Sequence, residues 1–259
     1  MSDLAADLAL LHGAALRAGA IAQGYFRRDP QVQEKPGGAG PVTQADLEID
    51  AMLRRDLLAA RPDYGWLSEE SPDAPDRLTR RRVFVVDPID GTRAFIDGQP
   101  GFAHALAIVE DGAAVAALVH LPMLGLTYAA VLGQGATLND AAMRVSERAQ
   151  VPGARVLAAR APFHPDYWPG GVPDVARDFR PSLAWRMALV AEGAFDAMLT
   201  LRPTWHWDCV AGALLVAEAG GQVSDAQGAP LRFNTPDPRA AGVIAGGSAL
   251  HSGLVALRG

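Results

Sequence analysis

Between residues 82 and 133 the chain passes through four apolar segments: RVFVVD (82–87), HALAIVE (104–110), AAVAALVHL (113–121) and LTYAAVL (126–132). This succession limits the possible folds more than any other feature of the sequence. Each segment has the length of a strand, and the β-branched and aromatic residues among them favour extended backbone. Asp111-Gly112 lies between the second and third and reads as a hairpin turn. Residues 113–133 hold no formal charge and are long enough on paper to cross a bilayer. Pro122 and Gly125 interrupt that stretch, so two buried strands joined by a turn are the better reading, and no membrane span is expected.

Upstream, Leu4, Leu8, Leu11, Ala15, Ala18, Ala22 and Tyr25 recur at steps of three and four, the stripe of an amphipathic helix over 3–26. The Pro/Gly stretch KPGGAGP at 35–41 breaks the chain. Thr43 then opens a second helix, with Asp46 three residues on and Ile49, Leu53 and Leu57 along one face. YGWLSEE (64–70) precedes the four segments as a further strand. A largely antiparallel sheet behind two helices is expected.

The character changes near 140–150, where VLAARA (156–161) begins a second alternation of strands and helices. It continues through SLAWRMALVAEG (182–193), FDAMLTL (195–201), WDCVAGALLVAEAGG (207–221) and VIAG (243–246) to a short final helix. Gly220-Gly221 supplies a helix stop. Two tightly joined subdomains are expected: 1–148, α+β, with most candidate ligands, and 149–259, α/β. A chain of 259 residues can bury a core of that size.

The net charge of −6 argues against a nucleic-acid polymer held on a broad basic surface, and leaves room for one small phosphorylated ligand. The single cysteine, Cys209, allows no intrachain disulfide. MSDLAADLALL carries acidic residues where a secretory signal is basic, so a cytoplasmic enzyme is expected.

Asp87 and Asp90 follow the apolar run VFVV, with Pro88 holding the backbone between them extended. Two carboxylates so close repel in a low dielectric unless one takes a proton or a cation intervenes. A hard divalent ion such as Mg²⁺, bound by oxygens, removes the conflict and accepts phosphate oxygens as further ligands. Glu69 and Glu70 also end a strand-like run, and Asp208 opens a helix, so a local charge near −4 needs two or three such ions. Gly91-Thr92 adds a turn whose N–H groups can approach a phosphate. Carboxylates for metal beside amides for phosphate define metal-assisted phosphoester hydrolysis.

Each of these residues also has a plain reading. Asp46 completes a capping box with Thr43, Glu69-Glu70 forms a solvated strand end, Asp208 is a first-turn helix acid, and Asp87–Gly91 is a turn. His104, His120 and His206 lack zinc-ligand spacing, Ser68 and Ser71 lack a nucleophile elbow, and Cys209 reads as a small buried residue.

Taken together, Val42-Thr43-Gln44-Ala45-Asp46, Ser68-Glu69-Glu70-Ser71, Asp87-Pro88-Ile89-Asp90-Gly91-Thr92, Val190-Ala191-Glu192-Gly193 and Trp207-Asp208 with Ala211-Gly212 and Gly220-Gly221 resemble the inositol monophosphatase family. These are Mg²⁺-dependent, lithium-sensitive phosphatases. The resemblance implies a layered α/β/α/β/α sandwich, a homodimer and a small phosphorylated substrate. It implies that Glu69, Asp87 and the Ile89 carbonyl hold one Mg²⁺, that Asp87, Asp90 and Asp208 hold a second, and that Glu69 assists a weaker third. Thr92, oriented by Asp46, joins Glu69 in deprotonating the attacking water, and the Gly91 and Thr92 amides bind phosphate.

Inositol-specific relatives carry a glutamate seven residues before the WD aspartate, where this chain has Leu201. Histidinol-phosphate phosphatases share the run at 87–96, but many depart from the WD form. Leu67-Ser68-Glu69-Glu70, Pro181-Ser182-Leu183 and Pro203-Thr204 before Trp207-Asp208 look more like bacterial 3′(2′),5′-bisphosphate nucleotidases, which convert 3′-phosphoadenosine 5′-phosphate to AMP. By that analogy Arg186 meets the second phosphate and Trp185 or Trp205 an adenine face; otherwise the tryptophans are core and Arg186 a helix-surface charge. An inositol or broad sugar phosphatase and a histidinol phosphatase are the alternatives. An inactive scaffold relative would have lost a ligand, whereas all four carboxylates and Thr92 are present.

Overall fold

The apolar segments form one sheet with both faces covered. The computed structural model describes residues 4–35, 37 and 40–259. The chain starts with helix α1 (Leu4–Tyr25), a ribbon of β1 (Gln33–Glu34) and β2 (Pro41–Val42), and helix α2 (Gln44–Ala60). Strands β3 (Gly65–Ser68) and β4 (Arg82–Asp90), the short helix α3 (Thr92–Ile96), and strands β5 (Ala103–Glu110), β6 (Ala113–Leu121), β7 (Leu126–Val131), β8 (Gly135–Leu138) and β9 (Ala141–Ala142) follow. The seven strands β3 to β9 lie side by side in chain order, β3 parallel to β4 and all other neighbours antiparallel.

The remaining elements are β10 (Ala154–Leu157), β11 (Val175–Asp178), α4 (Leu183–Ala191), β12 (Ala197–Thr200), β13 (Thr204–Trp205), α5 (His206–Glu218), β14 (Gly221–Ser224), β15 (Arg239–Ala240), β16 (Val243–Gly247) and α6 (Ser248–Ala256). Five of these strands make a second sheet in the order β11-β10-β12-β16-β14.

Side-chain alternation assembles the layers. Phe84 and Val86 on β4, with Leu106 and Ile108 on β5, face α1 and α2, while Val83, Val85, Ala105 and Ala107 face α4 and α5. In the second sheet Met198, Val243 and Ala245 face those same helices, and Leu199 and Ile244 face α6 through Leu250 and Leu254. The result is a layered α/β/α/β/α fold. Helix α1 is long and apolar enough by composition to cross a membrane, yet Leu11, Ala14, Ala15, Ala18 and Ala22 are buried against α2 and the first sheet.

The central helices touch where Gly212 of α5 meets α4: a Cβ there would stand 2.4 Å from Met187 Cβ. Gly212→Ala is expected to lower stability by about 2–3 kcal/mol through overpacking, read as a fall in Tm, since Met187 has no exposed side to retreat to.

Residues 113–133 are two strands with a turn at 122–125, and Asp111 and Gly112 take the positive φ of a hairpin. Three boundaries differ from the sequence reading. β4 runs to Asp90 instead of Asp87, because Pro88 keeps the chain extended through an irregular register. β3 ends at Ser68, whose hydroxyl donates to Asp50 Oδ1 at 2.5 Å. The strand expected over 156–161 ends at Leu157, before a 3₁₀ turn containing Pro162. Of the stretch 35–41, residues 36, 38 and 39 lie outside the described residues.

Candidate active site

The ends of β3 and β4 and the N-termini of α4 and α5 converge on one acidic centre. Ligand-capable oxygens of Glu69, Asp87 and Asp208 all lie within 4.8 Å of one another. Asp87 is 1% exposed, and its Oδ1 has no hydrogen-bond partner among the described residues. Burial, followed by the charges of Glu69, Asp90 and Asp208, pushes the Asp87 carboxyl well above its ordinary value. Burial, with Asp90 and Glu69, does the same to Asp208. Such a cluster holds its charge only with a cation present.

Asp90 stands beside them with Oδ2 held at the start of α4, accepting from Ser182 Oγ at 2.7 Å and from the Ala184 N–H at 2.6 Å. Burial outweighs these bonds and raises its pKa to about 6. The donor set is oxygen throughout and includes an orphaned buried carboxylate oxygen, which fits a hard divalent cation.

Both readings of Asp46 have a place in the geometry. Its Oδ2 accepts from the Thr43 N–H at 2.9 Å and from Thr43 Oγ1 at 2.5 Å, while its own N–H donates to Thr43 Oγ1 at 3.4 Å, a complete capping box. Its Oδ1 lies 3.4 Å from Thr92 Oγ1, which donates to the Ile89 carbonyl at 3.0 Å. Burial raises the Asp46 pKa to about 6. Gly91 precedes α3 at φ +97°, a backbone conformation that a side chain would strain.

The sequence reading missed Lys35. Its ammonium lies 2.6 Å from Glu69 Oε1 and 2.7 Å from Glu70 Oε1. Burial works against its charge, but the two glutamates outweigh burial and hold its pKa above the ordinary value. One signal was available: Lys35 is the only lysine in the sequence.

A cleft of about 680 Å³ opens beside the carboxylates, lined among others by Glu69, Gly91, Thr92, Arg93, Tyr167, Phe179, Arg186, Leu201 and Arg202. Arg186 is 8% exposed and donates to the carbonyls of Arg180 at 2.5 Å and Pro181 at 3.2 Å. Its guanidinium carbon stands 4.3 Å from the Phe179 ring centroid, and Phe179 is 46% exposed. Burial lowers the Arg186 pKa to about 10 against the pull of Asp90 and Asp208. The structure thus brings Arg186 to the cleft but not Trp205, which stacks on Trp207 at 4.7 Å with Arg239 near its ring. Tyr167, Phe179 and Arg202 were not foreseen; nothing in their local sequence marks them as cleft residues.

This arrangement of buried carboxylates beside a glycine turn and a cationic cleft defines a phosphomonoester hydrolase, and comparison with known proteins gives its family. Residues 3–259 match the Inositol monophosphatase family, whose members are metal-dependent phosphatases of small phosphorylated substrates. The chain belongs to that family. It is 37% identical over 203 residues to the inositol-1-monophosphatase of Rhizobium meliloti (strain 1021), covering 74% of each chain. It is 30% identical over 239 residues to the 3′(2′),5′-bisphosphate nucleotidase CysQ of Aggregatibacter actinomycetemcomitans, covering 85% of this chain and 84% of that one. The crystal structure of the extragenic suppressor protein suhB from Bartonella henselae superposes with a TM-score of 0.83 at 29% identity, covering 97% and 98% of the two chains.

Proposed function

We propose that the chain is a Mg²⁺-dependent phosphatase whose substrate is a 3′(2′),5′-bisphosphate nucleotide, with 3′-phosphoadenosine 5′-phosphate hydrolysed to AMP and phosphate. The observation that carries the metal reading is the convergence of Glu69, Asp87 and Asp208 around an unpartnered Asp87 oxygen, beside Gly91-Thr92. Glu69, Asp87, the Ile89 carbonyl, Asp90 and Asp208 would hold two or three ions. When bound, these supply compensating charge, Lewis-acid polarisation of the phosphoryl group and stabilisation of the leaving oxygen.

The chain's own residues do the rest. Glu69 and Thr92 take the proton of the attacking water. Asp46 Oδ1, 3.4 Å from Thr92 Oγ1, is placed to receive the Thr92 proton as Thr92 takes one from the water. The Gly91 and Thr92 amides bond the phosphate.

Three features of the cleft support the nucleotide. Leu201 offers no acceptor for sugar hydroxyls, Arg186 and Arg202 favour a second anion, and Phe179 offers an aromatic face backed by a guanidinium. The same arginines disfavour the cationic histidinol phosphate. An inositol-1-phosphate or broad sugar phosphatase is the second reading, favoured by the 37% identity to the Rhizobium enzyme.

Phosphate release from 3′-phosphoadenosine 5′-phosphate, myo-inositol 1-phosphate and histidinol phosphate separates these readings. A nucleotide preference of about a hundredfold in kcat/KM, or 2.7 kcal/mol, is expected. Phe179→Ala should raise KM for the nucleotide about tenfold, the worth of one base stacked on an aromatic ring, and leave inositol phosphate turnover unchanged. Equal rates on all three substrates would assign a general phosphatase. Lithium inhibition, a homodimer, a cytoplasmic location and the division into 1–148 and 149–259 belong to the same proposal. Assays in LiCl, sedimentation, cell fractionation and limited proteolysis test them in turn.

A further inference from the structure

We infer that His104 is a positioning residue for the metal-binding end of β4: its ring N–H holds the Pro88 carbonyl and so sets where Asp87, the Ile89 carbonyl and Asp90 point. The inference rests on the metal-site reading above and concerns a residue outside the acidic cluster.

The reason lies in the β4–β5 register. Asp87 pairs with Ala105 and Asp90 with Ala103, so that Pro88 and Ile89 together stand opposite the single residue His104. A bulge of this kind turns the strand and leaves backbone groups outside the ladder. Pro88 has no N–H to exchange with β5. Its carbonyl accepts instead from His104 Nδ1 at 2.5 Å, while the Ile89 carbonyl accepts from Thr92 Oγ1. Because a carbonyl only accepts, Nδ1 carries the ring proton and the neutral ring's Nε2 does not.

The burial of His104 has no explanation in packing. The ring is fully buried, 6.1 Å from Phe102 on one side and 6.1 Å from His120 on another, and Nε2 has no partner among the described residues. Leu106 and Ile108, the next residues on this face of β5, are apolar members of the same core. A leucine at 104 would fill the space without stranding a nitrogen. What the imidazole adds is a donor at Pro88, one peptide unit from each of Asp87 and Ile89. Fixing that carbonyl fixes the backbone that aims both.

Two variants separate positioning from packing. His104→Asn keeps an N–H donor near the place of Nδ1; His104→Leu removes it and keeps the bulk. The full-length proteins are titrated with Mn²⁺, the free ion being followed by electron paramagnetic resonance, and Tm is taken in EDTA and in MgCl₂. His104→Leu should bind Mn²⁺ about tenfold or more weakly and lose most of the MgCl₂-induced rise in Tm, with His104→Asn within about threefold of wild type. The contrast should hold whatever the two Tm values are in EDTA. Wild-type affinity in His104→Leu, or equal loss in both variants, would overturn the inference. A wild type that binds no Mn²⁺ removes the metal-site reading itself and the inference with it. If the leucine variant does not fold, His104→Met, unbranched and adaptable, is read in the same way.

Discussion

Asp87→Asn is expected to release phosphate at about one-thousandth of the wild-type rate or less, a loss of some 4 kcal/mol of transition-state stabilisation, while melting in EDTA at or above the wild-type Tm. The two effects have one cause. Asp87 is fully enclosed and surrounded by Glu69, Asp90 and Asp208, so suppressing its charge by protonation destabilises the metal-free fold at neutral pH. The amide keeps the shape, removes that charge and withdraws a metal ligand. Asp7 makes the contrast. It is equally buried but accepts from Arg61 at 2.8 Å, Tyr64 at 2.9 Å and Arg82 at 3.2 Å. Asp7→Asn should therefore cost about 1–2 kcal/mol by weakening charge-assisted hydrogen bonds to the partly exposed Arg61 and Arg82, with metal binding unchanged. Calorimetry in EDTA, with turnover measured alongside, reads both. If Asp87→Asn melted well below wild type, the carboxylate would be structural.

Strands β3 to β7 were legible because length, β-branched content and a Gly turn all report on the local backbone; the short β8 and β9 were not, nor was the register, since β4, β5 and β6 are apolar on both faces. β11 was not legible: VARD is exposed along most of its length, and only pairing with β10 makes it a strand. The acidic centre could be read because carboxylates at strand ends are unusual enough to need a cation. The bulge at Pro88–Ile89 could not be read, since it exists only against β5. Lys35 reaches its glutamates across more than thirty residues of chain, a contact that only the fold creates. Trp205 and Phe179 show the limit most directly. Both are aromatic and exposed, and only tertiary placement decides which of them lines the cleft.

Mg²⁺ is also expected to reverse the acidic site's contribution to the pH dependence of stability. In EDTA, the acidic site should contribute a fall in stability as pH rises from about 4 to about 7, because unfolded carboxyl groups titrate near 4 whereas the native site holds its protons longer. Asp46 and Asp90 release theirs at about 6 and Glu70 at about 7, and Asp87 and Asp208 are raised as well. In that window the native state binds more protons than the unfolded chain, so raising the pH draws the equilibrium toward unfolding. Asp46 and Asp90, each shifted by about two pH units, correspond to roughly 3 kcal/mol apiece. The buried rings of His104 and His206, whose pKa values are lowered to about 4, oppose this within the same window, because they take up a proton in the unfolded chain but not in the native one; the contribution of the acidic site is therefore read as the difference between wild type and Asp87→Asn. Asp73 and Glu110 run the other way, their carboxyls held below the ordinary range by Arg77 and Arg82. Their contribution is present above their unfolded pKa and disappears only below about pH 4, outside the window. With saturating MgCl₂ the site must be deprotonated to ligate, so each step up in pH tightens binding and adds stability. The gap between the EDTA and MgCl₂ melting curves should therefore widen steadily from pH 5 to pH 7.5, and Asp87→Asn should shrink the gap and, in EDTA, gain stability over wild type as pH rises. Parallel curves would mean that these carboxylates neither share their charge nor give it to a metal.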